Sequence, residues 1–141
     1  MPSLIYDSML EDLARGAIDF DTDNFKVMLV QSGYTPDKGA HKKRSAVTNE
    51  VPSTGGSNYA SGGLASTVQL TLDTTNHRLD VAFSNVTWPN ATITARAAVI
   101  YKSTGTTAND ALVAYVDFGQ DVSSTAAAFA VTFSSALRFQ N

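Results

Sequence analysis

Along most of this chain apolar and polar residues alternate with a period of two, as strands with one buried face require. Val68, Leu70 and Leu72 alternate with Thr67, Gln69 and Thr71. After the turn-forming DTTNH at 73–77, Leu79, Val81 and Phe83 alternate with Arg78, Asp80 and Ala82. These two runs predict a hairpin buried on one side. Upstream, Phe25, Val27 and Leu29 share one side of a strand, and Lys26, Met28 and Val30 the other. Downstream, residues 92–119 (TITARAAVIYKSTGTTANDALVAYVDFG) are two apolar strands joined by a loop of small polar residues. Strands of that kind belong inside a packed sheet. A short run at 86–88 precedes them, with a break expected at Pro89-Asn90. Phe129, Val131 and Phe133 form a further run, and Leu137 and Phe139 a last one. The pattern amounts to roughly seven to nine short strands without intervening helices, which fits an antiparallel sandwich or barrel and not a βαβ sheet.

Only residues 3–15 change the period to that of a helix. Asp7, Ser8, Glu11, Asp12 and Arg15 fall on one face, and Leu4, Ile5, Met9, Leu10 and Leu13 on the other. Ser3 is placed to cap the start and Gly16 to end it. A helix this short needs its apolar face docked, against the domain's own core or a second subunit. Residues 33–63 show no such period. GYTPDKGAHKKRSA and PSTGGSNYASGG are full of turn formers, and only VTNEV at 47–51 suggests a short strand between them. A stretch this long without regular structure is often functional. The expectation is one domain over 1–141, with a helix at 3–16 and an extended arm at 33–63.

Composition narrows the functions available. The 141 residues suit a single core, and 43% of them are apolar. Only 16% are charged, against a usual ~25%. Neutral hydroxyl-bearing residues replace them, a surface that meets other protein at little desolvation cost. The net charge of −3 argues against nucleic-acid binding. With no cysteine, disulfides, thiolate catalysis and cysteine-based zinc sites are excluded. No apolar run approaches a membrane span, and MPSLIYDSML lacks the basic start of a signal peptide. Synthesis in a cytoplasm is therefore expected.

Reactive groups are sparse. Asp19, Asp21 and Asp23 start like a calcium loop, but Asn24 and Val30 stand where glycine and glutamate are needed. A solvated acidic linker is the plainer reading. His41 and His77 each lie in a polar loop with no metal partner nearby. No nucleophile motif surrounds any serine. Thr54-Gly55-Gly56 and Ser61-Gly62-Gly63 lack the lysine and following helix of a phosphate loop. The glycosylation patterns at Asn85 and Asn90 mean little without a secretory route. No catalytic, cofactor or metal site is expected, and the chain reads as a non-enzyme. The remaining candidates are partner contacts: the basic run His41-Lys42-Lys43-Arg44, with Tyr34 and Tyr59 in the same loop region. Trp88, before Pro89, reads as a core plug, although aromatic stacking keeps a carbohydrate-binding module in view.

Several stretches taken in order resemble a family of small tailed-bacteriophage virion proteins. They are FDTDNFKVMLVQSGYTP at 20–36, VTNEV at 47–51, YASGG at 59–63, TWPNATITARAAVIYKSTG at 87–105 and LVAYVDFG at 112–119. They are strand and turn sequences, not catalytic motifs. The resemblance implies a jelly-roll-like β-sandwich working as a capsid cement, or decoration, protein. It further implies binding to the major capsid protein lattice on the outside of the virion, as a homodimer. The other stations considered are a tail or baseplate subunit and a carbohydrate-binding module.

Overall fold

A computed structural model describes residues 3–141. Among the described residues eight strands make two antiparallel sheets, accompanied by one α-helix and a 3-10 turn at Arg44–Ala46. The elements run β1 (Leu4–Ile5), α1 (Asp7–Ala14), β2 (Phe25–Val30), β3 (Leu64–Ser66), β4 (Val68–Asp73), β5 (Arg78–Phe83), β6 (Val86–Lys102), β7 (Leu112–Val131) and β8 (Leu137–Gln140). One sheet has the order β1-β7-β6-β2-β3, the other β4-β5-β8. The chain is mainly β, as the alternation requires, and the two sheets form a sandwich. The finer jelly-roll expectation, with its paired Greek keys, is not carried by these strand orders, in which β4–β5 and β6–β7 are plain hairpins. Among the described residues no helix is long and apolar enough to cross a membrane.

The main core lies between the sheets. Phe25, Val27 and Leu29 of β2 meet Val81 and Phe83 of β5 and Leu137 of β8 there. Phe20 stacks on Phe25 at 5.3 Å, and Phe83 meets both rings edge-on. Trp88 sits beside Tyr59 and Phe129, as the core plug its position predicted.

β6 runs unbroken through Pro89-Asn90, where a break was expected. Its ladder with β7 slips between Trp88 and Ala91 and again between Ala95 and Ala97. The first slip sets one extra residue in β6 and the second sets three extra residues in β7, and across each the side of β6 that faces inward changes. Hence Val86 and Trp88, then Ala91, Ile93 and Ala95, then Ala98 and Ile100 all reach the same core. A bulge is also where a sheet tolerates proline.

The amino terminus departs from its helical pattern. Residues 4 and 5 pair with Tyr115 and Ala114 of β7, and the backbone of Ser3 and Tyr6 donates to the carbonyls of Tyr115 and Val113. Ladder bonds to a preformed edge outweigh the last turn of a short helix. Ser3 is therefore no helix cap; its Oγ accepts from the Asp117 amide. α1 begins after Tyr6 and closes at Gly16, which adopts φ +75° as a terminating glycine should. Met9 is fully buried and Leu13 half-buried, but Leu10 is 55% exposed.

Residues 33–63 do not project as an arm. They fold back against the five-stranded sheet, Val51 and Tyr59 entering the inter-sheet core and Tyr34 and Val47 lying over the sheet's outer face. A second cluster forms there from Tyr6, Met28, Val30, Tyr34, Val99, Tyr101, Leu112 and Tyr115, with Val47 against it. This is why Met28 and Val30 are buried although they lie opposite the inter-sheet core. The strand expected at 47–51 reduces to one bridge, Val30 to Glu50, fastened by the Gln31 amide to Asn49 and the Val51 amide to Leu29.

Candidate functional site

The basic run is where the folded-back segment is tied down. The Lys42 carbonyl accepts from the Leu112 amide, Lys43 bridges to Ala111, and the Arg44 amide donates to Asp110. This pairing turns alternate side chains in opposite directions. Lys42 is left exposed and Lys43 half-buried. Arg44 turns inward, its side chain 15% exposed.

Arg44 is the centre of a closed polar cluster. Its Nη1 lies 3.5 Å from Asp110 Oδ2, and its Nη2 lies 3.5 Å from Glu50 Oε2 and donates to Ser61 Oγ at 3.2 Å. The guanidinium sits over the Tyr101 ring, 5.2 Å from its centre. Burial opposes the Arg44 charge, and Tyr101, Glu50 and Asp110 more than offset it, so the guanidinium is held above its ordinary value. Asp110, 1% exposed, takes both the amide and the hydroxyl of Thr104 at 2.7 Å on Oδ1. Glu50 accepts from the Tyr59 hydroxyl at 3.0 Å and from the Gly62 amide. The Tyr101 hydroxyl donates to the Gly62 carbonyl at 2.6 Å, and burial pushes its pKa up to about 12.

The two candidate tyrosines are both 4% exposed. The Tyr59 hydroxyl accepts from the Leu29 amide while donating to Glu50, and burial raises its pKa. Tyr34 shares a hydrogen bond with Tyr6 at 2.9 Å and stacks on His41. Nδ1 of His41 lies 3.0 Å from the Tyr34 hydroxyl and accepts from the Asp37 amide. Of the six residues singled out from the sequence, Tyr34, His41, Arg44 and Tyr59 thus serve as internal fasteners. Neither tyrosine ring presents a surface to a partner.

The other candidates are local. Asp19 accepts the amides of Asp21 and Thr22, and Asp23 pairs with Lys102 at 2.9 Å. Such turns are what closely spaced aspartates commonly build. His77 ends the β4–β5 turn with φ +53°. Asn85 uses its side-chain carbonyl to accept the Phe133 amide. Among the described residues no group of three or more His, Asp or Glu is placed to hold a metal ion.

Comparison with protein-family models, curated proteins and solved structures returns no match.

Tyr101, Asp110 and Thr104 were not singled out from the sequence, and Glu50 stands out there only as one of two glutamates. Arg44 and Asp110 are 66 positions apart, and no local pattern links them. Chemically, the cluster is saturated: each of its charges has partners. What remains outside is the β4 edge, where Leu70 and Leu72 are exposed, and the middle of β7. In that stretch Thr94 bonds Ser123 across the ladder, Ser124 Oγ donates to the Ala91 carbonyl, and Thr92 accepts the Ala126 amide.

Proposed function

We propose that this chain is a non-enzymatic virion structural protein, a capsid cement protein that adheres to the outside of an assembled icosahedral shell. The observation that carries the reading is where the polar chemistry lies. Arg44, Glu50 and Asp110 lock the 33–63 segment onto the sheet, and the outward strands offer hydroxyls, small side chains and an apolar edge. A rigid slab with such a surface is suited to adhesion. The choice of a phage shell as partner is supported by the ordered resemblance of the stretches between 20 and 119. Many weak contacts repeated over a lattice give steep avidity. Preferential binding to the assembled shell would stabilise that shell by mass action.

The carbohydrate-binding alternative has less support. All five tyrosines and Trp88 are buried, as are Phe20, Phe25, Phe83 and Phe129. Phe118, Phe133 and Phe139 are half-buried against the core. A sugar platform needs exposed rings. A tail or baseplate subunit would differ from cement only in its partner. The test is to add purified protein to shells lacking it. Co-sedimentation and a higher temperature of shell rupture are expected, and failure of both rejects the reading. Density for the protein on a tail, seen by electron microscopy, would relocate it.

A further inference from the structure

β4 is an unprotected edge. In an antiparallel ladder, residues that exchange hydrogen bonds alternate with residues that do not. The Asn141 amide bonds the His77 carbonyl, so Leu79 and Val81 direct their backbone groups toward β8. Arg78, Asp80 and Ala82 therefore face β4, and bond Asp73, Thr71 and Gln69. The Ser84 amide donating to Thr67 keeps the same phase. It follows that Val68, Leu70 and Leu72 point their N–H and C=O groups away from the sheet. Among the described residues no backbone bond from another segment reaches them.

Natural edges are blunted by charge, proline, bulges or brevity. β1, β3 and β8 have two, three and four residues. The open side of β7 bends at Gly119 (φ +81°) and Ala126 (φ +45°), and carries Asp117 and Asp121. β4 has six residues, with no proline, lysine or register shift.

The side chains of this edge extend the apolar face beyond the core. Leu70 lies beside Val81 and Leu137, both buried; Leu72 lies beside Leu79 and Phe139. Leu70 is 40% exposed and Leu72 71%. Leu70 also borders a groove lined by Leu13, Ile18, Phe20, Leu79 and Phe139.

We propose that two copies of this chain pair through β4, antiparallel about a two-fold axis at Leu70, joining two three-stranded sheets into one. An isologous contact needs a self-complementary edge, and this register supplies it. Leu70 faces its own copy, and Val68 faces the partner's Leu72 in both directions, so one apolar row crosses the axis. Gln69 faces the partner's Thr71. Asp73 faces the partner's Thr67, far from the second Asp73, so no like charges meet. Centring the axis on Thr71 instead would set Val68 against the partner's Thr74.

This inference deepens only the homodimer within the proposed function, and it is tested in solution without shells. Sedimentation velocity over a concentration series is expected to show a monomer–dimer equilibrium. Leu70→Lys with Leu72→Lys is expected to weaken association by at least about tenfold. Because the chain has no cysteine, Leu70→Cys gives a direct readout. Mild oxidation should link two copies, since the Cα atoms of such a pair lie about 5.5 Å apart. Gln69→Cys, which does not face its own copy, should not link. A monomer up to roughly millimolar concentration, an unchanged dimer in the lysine variant, or cross-linking at position 69 and not 70 overturns the proposal. If the lysine variant does not fold, the cysteine pair decides alone. A dimer that ignores shells refutes the cement reading and leaves the pairing intact; a monomer that binds shells does the reverse.

Discussion

Arg44 joins three parts of the chain: Glu50 and Ser61 of the folded-back segment, Tyr101 of β6 and Asp110 of the loop before β7. Replacing it with alanine strands Asp110 and Glu50 without their cation in a largely buried place. We expect Arg44→Ala to lower stability by about 3 kcal/mol, read from the urea midpoint. Lysine should restore little, because it cannot lie flat on Tyr101 while reaching two carboxylates. Gly63 is a second sensitive position. It holds φ +75°, and a Cβ there would stand 1.8 Å from the Val27 carbonyl oxygen. Gly63→Ala should fail to yield soluble folded protein in an expression trial, because strand β2 would have to move away from β3. Neither duty is visible locally. Arg44 reads as one of four basic loop residues, and Gly63 as one of a flexible pair.

The strands show what periodicity does and does not convey. β2, β4, β5 and β8 lie where alternation places them, since their partners do not interrupt the phase. β6 looks like two elements because its bulges reset the phase, and a period-two pattern has no means of marking an inserted residue. The opposite failure occurs at the amino terminus. Residues 3–6 carry a helical pattern, yet the open edge of β7 claims them. α1 then docks through Met9, while Leu10 points to solvent. Met9→Ala should cost about 3 kcal/mol, and Leu10→Lys no more than about 0.5 kcal/mol, both measured by thermal melting. Equal losses from the two would mean that the helix docks on a different face.

For the molecule as a whole, the pH response should reflect a shared preference for ionised carboxylates. Backbone amides hold Asp19 and Asp37 below the usual range; Asn76 does so for Asp73, Arg138 for Asp80 and Arg96 for Asp117. A folded-state pKa below the unfolded one adds stability above the unfolded value and loses it as pH falls through the folded one. Melting temperature should therefore be level near neutrality and decline below about pH 4. At the alkaline end the sign reverses. Burial raises Tyr6, Tyr59 and Tyr101, so their contribution holds below about pH 10 and is lost as pH climbs past it. Tyrosinate absorbance should then rise together with unfolding, not before it. Alternation alone determined that this chain is a mainly β protein, because that follows from residue identities and spacing two apart. The tertiary structure decided the rest: that 33–63 is a cover and not an arm, that Tyr34 and Tyr59 face inward, and that Arg44 finds Asp110. Those outcomes depend on contacts between residues tens of positions apart, where chain closure selects the neighbours and no local pattern encodes them.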